Sequence, residues 1–199
     1  MQALGEYGLE GFERYRLFTT VVSHLPSAYS SAAVPKMTKS IEVRRGLSAP
    51  DKKVLRDIQR VGWHVTGVFA QKNENGPEWA FSIGLFHSFH HPEVVVFGLP
   101  FERCMDTVNV IGQEVKAGKR YEPGGEFADI LQDPFRCVFR EVDRQHYSDY
   151  VGYALWFYED DPFPLVQCFW PDKEGLFPWD DGCNDYVKNA QPLLYMPLP

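Results

Sequence analysis

Glu93-Val94-Val95-Val96-Phe97-Gly98 is an unbroken apolar run behind one carboxylate and closed by a glycine. A strand with one wet face alternates apolar and polar residues. Four consecutive apolar residues instead predict a strand buried on both faces, and therefore central in its sheet. Upstream, Trp63 to Phe69 alternates as one strand and Trp79 to Leu85 forms a second. The link Gln71 to Glu78, with Asn73, Asn75, Gly76 and Pro77, is dense in turn formers, so the two are expected to pair as an antiparallel hairpin. Before them, Ser48, Pro50 and Asp51 precede Val54, Leu55, Ile58 and Val61 at helical spacing, which predicts a capped helix ended by Gly62.

Downstream, Val108, Ile111 and Val115 mark a helix from about Phe101 to Ala117 that Gly118 stops. Phe135 to Val142 reads as a fourth strand, His146 to Tyr158 as one long helix, and Leu165 to Trp170 as a fifth strand. The tail from Pro171 to Pro199, rich in Pro, Gly, Asp and aromatics, is expected to wrap irregularly without a helix. Strands and helices mix without regular alternation, which defines an α+β class: a single domain with a mostly antiparallel or mixed sheet of about five strands and two to three helices.

That domain spans residues 48–199, and residues 1–47 form an N-terminal extension. Leu9, Phe12, Tyr15, Phe18, Val22 and Leu25 give the extension one amphipathic helix, which Pro26 ends; a Ser/Ala/Pro-rich arm with basic residues follows. Met37, inside the arm, is a second possible start of translation. Acidic Glu6, Glu10 and Glu13 argue against a secretory leader.

Composition narrows the function classes. The 199 residues carry a net charge of −7, which disfavours nucleic acid as a partner because phosphate contacts need clustered Lys and Arg. The balance is uneven: residues 1–60 hold ten bases against six acids, and residues 141–199 hold eleven acids against three bases. No stretch approaches the ~18 to 20 apolar residues that span a bilayer, so no membrane partner is expected. Cys104, Cys137, Cys168 and Cys183 show neither C-x-x-C pairing nor disulfide-scaffold density, and they are read as reduced thiols in the cytoplasm.

Two clusters could carry chemistry. Between the second and third strands, Phe86-His87-Ser88-Phe89-His90-His91-Pro92-Glu93 brings together three of the six histidines and a carboxylate. His87, His91 and Glu93 are the residue types of a metal site, but Pro92 disfavours the helical geometry that would align the two histidines. No metal and no cofactor are therefore assigned. The second cluster runs from Trp170 through Asp172 to Trp179. Its Asp172-to-Gly175 turn should bring two substantially buried indoles together, as the walls of a pocket or as the seal of a core edge. G-x-S-x-G, P-loop, H-E-x-x-H and G-x-G-x-x-G signatures are all absent.

Gly62-Trp63-His64-Val65, Phe81-Ser82-Ile83-Gly84-Leu85, His91-Pro92-Glu93, Val96-Phe97-Gly98-Leu99-Pro100, Trp170-Pro171-Asp172, Gly175, Phe177-Pro178-Trp179 and Gln191-Pro192 follow one another in a familiar order. From about Ser48 to Leu194 the chain resembles the bacterial domain of unknown function family 4262. The resemblance implies a bacterial, cytoplasmic, single-domain protein and carries no activity with it.

These readings lead to a non-catalytic binding or interaction module. Its recognition surface would combine the histidine loop (His87, His91, Glu93) with the aromatic tail (Trp170, Asp172, Trp179), and its partner would be an unidentified protein or small molecule. Thirteen of the thirty aromatic residues fall within residues 145–195, which motivates that surface. The alternative is a small-molecule enzyme, with or without a metal, with His87 or His91 as general base oriented by Glu93 or Asp172.

Overall fold

The elements form where the apolar stripes dictate. The computed structural model describes residues 47–69, 76–159 and 161–195; the helix expected in residues 1–25, and the arm up to residue 46, lie outside them. Helix α1 (Ala49–Val61) starts at a reciprocal cap: the Ser48 hydroxyl accepts the Asp51 N–H at 3.3 Å, and the Asp51 carboxylate accepts the Ser48 N–H at 2.8 Å. Gly62, at φ +109°, ends it in the left-handed conformation that only glycine adopts cheaply.

Then come β1 (His64–Val68), β2 (Trp79–Ile83), a short helix α2 (Leu85–Phe89), β3 (Glu93–Phe97) and α3 (Phe101–Lys116). Further on lie β4 (Glu126–Phe127), β5 (Cys137–Glu141), a 3-10 turn at Arg144–His146, α4 (Tyr147–Tyr150), α5 (Gly152–Tyr158), β6 (Leu165–Phe169) and α6 (Asp185–Ala190). The sheet is mixed and six-stranded, in the order β1-β2-β3-β6-β5-β4. Only β3 and β6 are parallel, with Glu93 opposite Leu165; the other neighbours are antiparallel, including the expected β1–β2 hairpin.

All five β3 residues are buried, as a strand covered on both faces requires. On one face Val94, Val96, Ala80 and Cys168 meet the α3 stripe of Cys104, Val108, Ile111 and Val115. On the other, Phe81, Ile83, Val95 and Phe97 meet Val54, Leu55 and Ile58 of α1 together with Ala154, Phe157 and Tyr158 of α5. Each fully buried Val, Leu, Ile or Phe among them contributes roughly 1.5 to 3 kcal/mol. The sheet is therefore the middle of three layers.

The α+β class and the mixed sheet are as expected; the sixth strand is β4, which at two residues is too short to leave a period. Two expectations, of one long helix and of a tail without a helix, are corrected. The single helix over 146–158 is two, because Val151 (φ −130°, ψ 37°) leaves helical geometry between α4 and α5. In the link holding the histidines, α2 ends at Phe89 and His90 turns left-handed at φ +55°, so His91 lies off the helix, where Pro92 disfavours helical alignment with His87. The tail contains α6, started by the Asn184 side chain accepting the Tyr186 N–H at 2.8 Å. Gly98 (φ +78°) ties that helix to the central strand, since a Cβ there would lie 2.5 Å from the Ala190 carbonyl oxygen. Among the described residues no helix is long and apolar enough to cross a membrane.

Candidate functional site

The histidine loop is organised around Glu93, the first residue of β3. Its carboxylate accepts the N–H groups at the start of α2, Gly84 at 2.8 Å and Phe86 at 3.1 Å. The hydroxyls of Ser82 and Tyr158 donate to it as well, Ser82 to the second oxygen. Ser82 Oγ in turn accepts the Val94 N–H at 2.9 Å, and the Tyr158 oxygen accepts the His87 N–H at 3.2 Å. Complete burial pushes the Glu93 carboxyl above the usual carboxylate range, against the pull of these four donors. This carboxyl fastens α2 and α5 to the sheet and has no open side.

His91 is equally enclosed. Its Nδ1–H donates to the Pro92 carbonyl at 2.7 Å and its Nε2 accepts the Tyr121 N–H at 3.1 Å, so the partners assign a neutral ring with the proton on Nδ1. Burial, reinforced by the charge of Arg120, pushes the imidazole down to about 4. Arg120 also donates to the carbonyls of Phe89 at 3.1 Å and His90 at 2.6 Å, closing the loop from outside. His87 is half-buried, edge-on to Phe157, and is shifted down by burial and then by His90.

The aromatic tail divides in two. Asp172 is buried and receives N–H groups from Glu174 (3.0 Å), Leu176 (2.8 Å) and Asn184 (2.9 Å). Burial pushes its carboxyl up, but the backbone donors prevail and hold it below the ordinary range. Trp170 is 6% exposed, and its indole N–H donates to the Phe97 carbonyl at 2.8 Å. The Gln191 amide brackets the Trp170 backbone, its oxygen accepting the N–H at 3.0 Å and its nitrogen donating to the carbonyl at 2.9 Å. Gln167 on β6 grips the same tail through the Pro192 carbonyl at 2.8 Å and the Leu194 N–H at 3.4 Å.

Trp179 does not join Trp170. Successive residues of a strand face opposite sides, and Trp179 follows Phe169 to the other face. There it meets Phe169 edge-on at 5.1 Å and stacks parallel to Phe177 at 5.0 Å, with an interplanar angle of 4°. Tyr195 stands at 86° to the indole. Into this corner projects Arg140 of β5, its guanidinium carbon 3.9 Å from the centre of the Trp179 ring and 4.4 Å from that of Tyr195. Trp179 is half-buried, less than the sequence reading expects.

The two clusters are not brought together. The histidine loop precedes β3 and Trp170 follows β6, and because these strands are parallel and in register the two lie at opposite ends. Glu93 is level with Leu165, and Trp170 lies five residues further along β6, roughly 16 Å away at the ~3.3 Å rise of a strand. Sequence reasoning missed Arg140 and Tyr195; the available signal was a base alternating with Val138 in an otherwise acid-rich third of the chain. It also missed the bond between His64 Nδ1 and Asp57 Oδ2 at 2.8 Å, seven residues apart across the α1–β1 turn. Burial, only partly opposed by Asp57, shifts His64 down. A cleft of about 380 Å³ beside the end of β5 is lined by Glu141, Asp143, Arg144, Tyr147 and Phe163 among others, and by none of the six residues selected from sequence. Among the described residues no group of three or more His, Cys, Asp or Glu side chains is placed to hold a metal ion.

Fold and site together define an α+β domain with a six-stranded mixed sheet, a closed polar frame at one end and an aromatic corner around an arginine on one face. The chain belongs to the family described as Domain of unknown function (DUF4262), whose model matches residues 57–184, from α1 to the cap of α6. No curated protein and no solved structure matches it.

Proposed function

We propose that this domain is a non-catalytic binding or interaction module, and that its recognition surface is the aromatic tail around Trp179. One contrast supports the reading. The ring nitrogens of His91 and the carboxylates of Glu93 and Asp172 are consumed by backbone and hydroxyl bonds, whereas Trp179, Tyr195 and Arg140 keep accessible surface. An acid–base catalyst needs a group free to exchange a proton with substrate, and a recognition surface needs rigid aromatic walls. We place the protein in the cytoplasm, a reading supported by four cysteines that are all free and buried.

A second reading, a small-molecule enzyme with a histidine base, is favoured by the Asp57–His64 pair, in which a carboxylate orients an imidazole. Thermal-shift screening of the whole chain against small metabolites, with mass analysis of each recovered compound, separates the two. The module reading expects a compound that raises Tm, returns unchanged, and loses its effect in Trp179→Ala. Conversion of the compound, abolished by His64→Gln, would replace the module with the enzyme.

A further inference from the structure

Arg140 sits on the sheet face opposite Glu141, in register with Gln167 on β6. Phe169, Trp179 and Tyr195 stand nearly perpendicular to one another, at 76°, 80° and 86°, so they form three walls of a corner. The guanidinium rests against two of those walls. Aromatic faces attract the cation but accept no in-plane N–H bond, and a guanidinium offers five such donors in a fixed fork.

Gln167, opposite Arg140 in the sheet, turns its Oε1 to the Leu194 N–H instead. Among the described residues Arg140 has neither an ion pair nor a hydrogen bond to its guanidinium. The buried side-chain polar atoms left without a partner there are Thr66 Oγ1 and Thr107 Oγ1, so the Arg140 N–H groups open to solvent. A half-buried arginine held between two rings, with its fork free, suits a bidentate oxyanion, and the rings beside it favour a carboxylate that carries an apolar body over bare inorganic phosphate.

From this arrangement we propose that Arg140, Trp179 and Tyr195 form a receptor for a carboxylate carried on an apolar or aromatic body. The carboxylate takes the guanidinium fork, and the body lies along the rings. The inference rests on the binding-module reading and names its ligand class. Benzoate, benzamide and inorganic phosphate are the probes, titrated calorimetrically into the whole chain. Benzoate should saturate, benzamide should bind at least tenfold more weakly, and phosphate should not displace benzoate.

Arg140→Gln should weaken benzoate at least tenfold. Arg140→Lys, which keeps the charge but loses the fork, should weaken it severalfold; it supplies the answer if circular dichroism shows Arg140→Gln unfolded. Equal binding of benzoate and benzamide, displacement by phosphate, absence of saturation, or unchanged affinity in a folded Arg140 variant would each overturn the proposal. If a neutral metabolite binds unchanged in a Trp179-dependent way while benzoate fails, the module stands and the carboxylate receptor falls. Turnover of a screened compound beside Arg140-dependent benzoate binding gives the reverse.

Discussion

At the start of β3, Glu93 gathers four donors and His91 spends both ring nitrogens, so the polar groups of the histidine loop face one another and the surrounding backbone. Across β5 and β6, Arg140 rests on two rings with no acceptor for its N–H groups among the described residues, and Trp179 stays partly exposed. The histidine loop is richer in the residue types that usually mark a site, yet it is the end that is closed. Buried polar groups must find partners, and once each has one, little capacity remains for a ligand. Chemical suggestiveness in a sequence and availability in a fold are separate properties.

The largest effect should come from Glu93. Glu93→Leu orphans four buried donors, each at about 1 to 3 kcal/mol, and should lower urea-derived stability by about 4 kcal/mol or more. Glu93→Gln, which mimics the neutral acid favoured by burial, should cost about 1 kcal/mol. A loss below 1 kcal/mol for the leucine variant would erase the contrast between the two regions.

His91 sharpens the contrast through pH. Its folded value of about 4 lies below the unfolded 6.5, so the unfolded chain takes up the proton first and stability falls as pH drops through that window. The full contribution is about 3 kcal/mol at 1.36 kcal/mol per unit. It should appear as the difference in pH dependence between the wild type and His91→Leu, measured by chemical denaturation. Coincident slopes would mean that the ring is not held neutral. At pH 7.5 the same variant should lose about 2 kcal/mol, because the Tyr121 N–H and the Pro92 carbonyl are left without partners.

Asp172→Ala frees three N–H groups near the surface, where water partly replaces the carboxylate, and should cost about 2 kcal/mol. Trp179→Ala should be the mildest of the truncations, about 1 to 2 kcal/mol, well short of the ~3 to 5 kcal/mol of a fully buried aromatic. A loss in the upper range would make Trp179 a structural residue and remove the open region from the comparison.

The fold was legible where burial and period agree. Val94 to Phe97 could only be central, and Val54, Leu55 and Ile58 mark α1 whatever packs on them. It was illegible where tertiary partners decide. Gly152 is the one local hint of the break at Val151 between α4 and α5, outweighed by the apolar period that runs through it, and α6 depends on Gly98 lending it room against β3. The candidate site followed the same rule. Glu93, His91, Trp170 and Asp172 stand out in the sequence and occupy special environments, but whether those environments are closed depends on Ser82, Tyr158, Tyr121 and Gln191, which lie 11, 65, 30 and 21 residues away or more. Arg140 is inconspicuous in the sequence because its walls come from residues 179 and 195.

The Gln191 amide presents the Trp170 backbone with the donor and acceptor that a neighbouring strand would offer, prolonging β6 by one rung made from a side chain. That rung exists only while the tail is seated, so the Trp170 amide proton should exchange with solvent at the rate at which the tail lifts away, whereas Val95 and Val96 exchange only when the sheet opens. A single slowly exchanging amide thus becomes a clock for undocking of the segment that carries Gln191.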